Sequence, residues 1–107
     1  MSMKELFDCI DKQSAGMDDI RRFLGQPEIL AQLMEECAEL GKAASKLRRG
    51  LDGRNVTPVS IVEAEENLQE EMADVLVLMM MAGMDFAEMA SVIYKKVPRW
   101  KSRLGLK

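Results

Sequence analysis

Apolar residues recur at helical spacing along most of the chain, and no stretch alternates with the two-residue period of a half-buried strand. Met3, Leu6, Phe7 and Ile10 mark a short amphipathic helix from Ser2 to about Gln13, which Ser14-Ala15-Gly16 should interrupt. Ile20, Phe23 and Leu24 allow a further turn or two before Gly25 and Pro27. Pro27 suits the first turn of a long helix carrying Ile29, Leu30, Leu33, Met34, Cys37, Leu40, Ala44 and Leu47. Lys46, Arg48 and Arg49 suit the negative end of that helix, and Gly50 is the expected cap, followed by a loop to about Val59.

Ser60 and Glu63 form a capping-box pattern that opens a third helix through Ile61, Val62, Leu68, Met72, Val75, Leu76 and Met79 to about Gly83. Beyond Asp74 this helix is apolar all round, which predicts burial on several sides. Asp85 and Glu88 repeat the capping pattern before Phe86, Met89, Ile93 and Val97, and Pro98 should kink or end that last helix. The expected fold is all-α: a bundle of three to four main helices in one domain spanning residues 1–107. So small a chain, with one helix apolar around its circumference and 10 methionines, is expected to bury surface against copies of itself.

Composition narrows the chemistry. The 107 residues contain no histidine, which excludes Ser-His-Asp and Cys-His nucleophiles and His-ligated metal sites. A net charge of -3 provides no general basic surface, so nucleic acid is not an expected partner. Cys9 and Cys37, without a C-x-x-C motif or secretory signal, read as reduced, half-buried thiols of a cytoplasmic protein. The longest uncharged apolar run, Val75 to Met84, is about half of the roughly 20 residues a membrane span needs, so no membrane association is expected.

Of 18 acidic residues, four lie between Glu28 and Glu39 and six between Glu63 and Asp74. Glu-rich helix faces are commonly just solvated surface, and Glu28, Glu63, Glu65 and Glu66 fit that reading near helix N-termini. Glu36 with Glu39, and Glu71 with Asp74, are different: each pair shares a helix face at a spacing of three. Positions four residues after these carboxylates are Leu40, Ala43, Val75 and Leu78, so no Lys or Arg stands there to neutralise them. A divalent cation would, and an all-oxygen ligand set favours magnesium, with manganese as a substitute.

The segment Glu35-Glu36-Cys37-Ala38-Glu39, followed by Glu71-Met72-Ala73-Asp74, resembles the E-E-x-x-E and E-x-x-D signature of the MazG-like all-α nucleoside triphosphate pyrophosphohydrolases. The likeness extends over about residues 27 to 103, including Gly83-Met84-Asp85 and the basic residues that follow. It implies a homodimer or homotetramer that hydrolyses a nucleoside triphosphate between its α and β phosphates, releasing a monophosphate and pyrophosphate. House-cleaning of the nucleotide pool is one expected role. Glu36, Glu39, Glu71 and Asp74 are the implied metal ligands.

Glu35 or Glu39 would take the proton from the attacking water. Lys96, Arg99 and Arg103, at positions i, i+3 and i+7, would grip the triphosphate. The gap of 31 residues between Glu39 and Glu71 is longer than is usual in the family, a departure that bears on specificity more than on activity. Trp100, Tyr94, Phe23 and Phe7 are candidate base-stacking groups, although isolated aromatics at helical spacing are more often core. The competing reading is a catalytically silent helical oligomerisation module.

Overall fold

In the computed structural model, which describes residues 2–53 and 60–107, four helices follow one another: α1 (Met3–Leu24), α2 (Gln26–Asp52), α3 (Ile61–Gly83) and α4 (Phe86–Arg103). No strand occurs among the described residues. The all-α expectation is met.

Helix starts follow local chemistry. Ser60 accepts a hydrogen bond from the Glu63 amide at 3.4 Å and Asp85 accepts one from the Glu88 amide at 3.0 Å, satisfying donors that a helix N-terminus leaves unpaired. Pro27 lies in the first turn of α2, as expected. Between α1 and α2 a single residue, Gly25, turns the chain with φ 81°, a region most side chains avoid.

Two expectations about helix limits are corrected, and a third is narrowed. Ser14-Ala15-Gly16 does not break α1: the Ser14 hydroxyl donates to the Asp11 carbonyl at 2.8 Å, and Met17 packs onto the core, so tertiary contact overrides weak local propensity. Gly50 is not the cap of α2. The helix runs on to Asp52, and Gly53, at φ 69°, ends it by donating to the Arg49 and Gly50 carbonyls. Of the loop expected from Gly50 to Val59, residues 54–59 lie outside the described residues. Pro98 does not end α4, which continues to Arg103, since one missing N–H leaves the surrounding helical bonds available.

The principal packing is α2 against α3. Their antiparallel arrangement is pinned at one end by Gln26, whose Nε2 donates to the Ala82 carbonyl at 3.0 Å, and at the other by Ile61 packing on Gly50. Ile29, fully buried, meets Leu78 and Met81, with Met17, Leu24, Leu33 and Ala82 around them. Burying such an isoleucine contributes about 1.5–3 kcal/mol. Ala43, Ala64 and Val75 extend the core along the same pair of helices.

The outer helices are less engaged than their sequences suggest. Burial of α3 on several sides is partial within one chain: Val75, Leu78 and Met81 are buried, Leu76, Met79 and Met80 are half-buried, and Val77 remains 38% exposed. The reason is geometric. Only α1 joins the α2–α3 pair, and among the described residues no Cα of α4 comes within 8 Å of a Cα of another helix. Phe7, Phe23, Tyr94 and Trp100 are consequently exposed instead of core, and Cys9 and Cys37 are exposed instead of half-buried.

Candidate active site

The antiparallel packing of α2 on α3 brings the two acidic segments face to face. One carboxylate oxygen from each of Glu36, Glu71 and Asp74 lies within 4.8 Å of the other two. Glu71 and Asp74 share a face because three residues make nearly one helical turn, and Glu36 projects from the opposing helix. Glu36 and Glu71 are half-buried and Asp74 is exposed.

Glu71 bears the electrostatic cost. Its Oε2 is shielded from solvent and has no hydrogen-bond partner. Its carboxyl is held above the ordinary carboxylate range, first by desolvation, then by hydrogen bonding to Glu36 and by repulsion from Glu36, Asp74 and Glu39. All of these neighbours are acidic. A buried oxygen without a donor, among carboxylates close enough to share one ion, is what a divalent cation would satisfy.

Glu39 stands outside the three-carboxylate group. It forms an ion pair with Lys42 at 3.3 Å while still acting electrostatically on Glu71. Glu35 is exposed on α2. Gln32, Val77 and Leu78 join Glu36 and Asp74 around an open cleft of about 270 Å³. Gln32 was not singled out from the sequence, although its place four residues before Glu36 puts it on the same helix face.

The three cations of α4 are brought together, but elsewhere. Lys96, Arg99 and Arg103 line an open cleft of about 500 Å³ with Trp100 and Leu104, and none of the acidic residues lines it. Within one chain, therefore, the acid cluster and the basic cluster form separate surfaces.

A family model for the MazG nucleotide pyrophosphohydrolase domain matches residues 24–102, which take in α2, α3 and nearly all of α4. This chain belongs to that family. Both motif helices of the MazG domain fall inside the match, whereas α1 precedes all but its first residue. The chain has no match among curated proteins and none among solved structures. Membership carries nucleotide pyrophosphohydrolase activity at the level of the family, whose members typically depend on a divalent metal, and the acidic cluster fits that requirement. No helix among the described residues is long and apolar enough to cross a membrane.

Proposed function

We propose that this protein is a magnesium-dependent nucleoside triphosphate pyrophosphohydrolase that cleaves between the α and β phosphates, with residues 1–107 acting as one domain. The observation that carries this reading is the unpartnered oxygen of Glu71 beside Glu36 and Asp74. Glu36, Glu71 and Asp74 would hold the metal, with Glu39 as a further ligand on the same face of α2. A bound divalent cation supplies neutralisation of phosphate charge and acidification of water at this cluster.

The chain's own residues do the remainder. Glu39, three residues after Glu36 and therefore on the same face of α2, is the favoured proton acceptor. Glu35, one position before Glu36, is the alternative. Holding Glu36 and the Glu71–Asp74 pair on two packed helices fixes these groups before substrate arrives, so little reorganisation accompanies the reaction.

Lys96, Arg99 and Arg103 are proposed to bind the triphosphate across a subunit boundary. Two observations support this: among the described residues no Cα of α4 comes within 8 Å of a Cα of another helix, and its apolar residues Phe86, Ile93, Val97 and Trp100 are all at least half exposed, as expected of a surface that packs on another copy. A homodimer or homotetramer would then unite the two clusters. Removal of non-standard or surplus nucleotides is the role we assign to the activity.

The test is a panel of standard and modified deoxynucleoside triphosphates with magnesium, scored for released pyrophosphate against orthophosphate. Pyrophosphate and a monophosphate are the expected products. Orthophosphate alone would overturn the assigned bond, and no turnover of any nucleotide would favour a silent oligomerisation module.

A further inference from the structure

The acidic cleft shares one wall residue with a second space that the metal ligands do not explain. Val77 follows Asp74 by three residues on α3, about 4.5 Å along the helix axis. It lines both the acidic cleft and an apolar cleft of about 400 Å³ between α1 and α3. Cys9, Gln13, Gly16 and Met17 form the α1 wall of this second cleft, and Val77 and Met80 stand on the α3 wall. Its volume falls within the range of about 300–1,000 Å³ usual for small-molecule sites.

A nucleoside triphosphate has a polyanionic end and a flat, largely apolar base with hydrogen-bonding edges. Two adjoining clefts on α3, one acidic and suited to a cation, one apolar, match those two parts. Another apolar cleft, of about 490 Å³ and lined by Phe7, Leu76 and Ile93 among others, shares no residue with the acidic one. The shared Val77 wall therefore selects the α1–α3 cleft.

Resting on the hydrolase reading above, we infer that the α1–α3 cleft is the nucleoside subsite. The base lies between the Met17 and Met80 side chains, where polarisable sulfur favours aromatic rings. The Gln13 amide, which both donates and accepts, reads the base edge. Since α1 lies almost wholly outside the family match, base recognition here is a property of this chain's own N-terminal helix.

The test uses the full chain carrying Cys37→Ser, which leaves Cys9 as its one thiol. Alkylation of Cys9 by iodoacetamide is followed by mass spectrometry with magnesium plus either non-hydrolysable α,β-imido nucleoside triphosphates of the four bases or inorganic tripolyphosphate. Calorimetry establishes in parallel that each ligand binds. At least one nucleotide should slow alkylation by about fivefold or more, while tripolyphosphate, which reaches only the phosphate end, leaves it unchanged.

Gly16→Leu provides a second arm. No heavy atom lies within 4 Å of a side-chain carbon placed at Gly16, and leucine favours helix, so the variant fills the cleft without unfolding α1. Nucleotide affinity should fall by about tenfold or more, with tripolyphosphate affinity retained. If both ligands bind but Cys9 protection and the Gly16→Leu effect are absent, the subsite is overturned and the hydrolase reading stands. If neither ligand binds in magnesium, the hydrolase reading falls and the subsite with it. Cys9 unreactive before any ligand is added, because a second copy covers the cleft, would also overturn the assignment.

Discussion

Removing the charge of Glu71 should stabilise the chain when no metal is bound, because one of its oxygens is shielded and unpartnered and the neighbours that act on it are acidic. Glu71→Gln is expected to raise the metal-free melting temperature by about a few degrees. The same substitution should remove the further rise expected of the wild type in millimolar magnesium, and lower pyrophosphate release by about 100-fold or more. Thermal-shift and product assays on the two proteins check both outcomes. An unchanged magnesium response in Glu71→Gln would show that the cation binds elsewhere.

The sign of the pH dependence follows from the same residue. The folded pKa of Glu71 lies above its unfolded value, so the native state binds the proton more readily than the unfolded chain. That stabilising contribution is complete below the ordinary carboxylate value and is lost as pH rises through the raised folded value. In the metal-free protein, the melting temperature of wild type minus that of Glu71→Gln should therefore fall with rising pH across this window. Saturating magnesium, which favours the ionised form, should reduce the slope.

At the level of elements, α2 and α3 form the frame, and the acid cluster is only as well placed as their packing. Ile29, with no exposed surface, sits where α2 meets Leu78 and Met81 of α3. Ile29→Ala should cost about 2–5 kcal/mol, measured by urea denaturation. It should also weaken magnesium binding although Ile29 touches no ligand, because the opposing Glu36 and Asp74 faces would lose their register. In α4, by contrast, no Cα of another helix lies within 8 Å of the backbone around Pro98 among the described residues. Pro98→Ala should increase helicity by circular dichroism, since an interior proline disfavours helix by about 3 kcal/mol relative to alanine.

For the whole molecule, the separation of the acidic and basic clefts makes a prediction about assembly. Chains with Asp74→Asn and chains with Lys96→Ala, Arg99→Ala and Arg103→Ala should each be inactive alone. Mixed after partial unfolding and refolding in a two-chain exchange, they should regain activity approaching about a quarter of wild type, because half the dimers are mixed and half of their sites are intact. No recovery would place the basic cluster in the site of its own chain. Ile93→Asp on the exposed apolar face of α4 should shift the protein toward monomer by light scattering and lower activity in parallel.

Residue order alone sets the helices and the identity of the acidic groups. Capping at Ser60 and Asp85, Pro27 in a first turn and the three-residue spacing of Glu71 and Asp74 are local features, set by bonds and geometry within about one helical turn. The limits at Ser14-Ala15-Gly16 and Gly50, where the structure departs from local preference, lie where weak propensities compete with packing or with neighbouring helical bonds. Which carboxylates meet depends on how the helices pack. The antiparallel pairing of α2 with α3 gathers Glu36, Glu71 and Asp74 and leaves one oxygen of Glu71 without a partner. Packing also sets the α4 cations apart from the acids of their own chain, since the distance between faces of different helices is fixed by packing and leaves no mark in residue spacing.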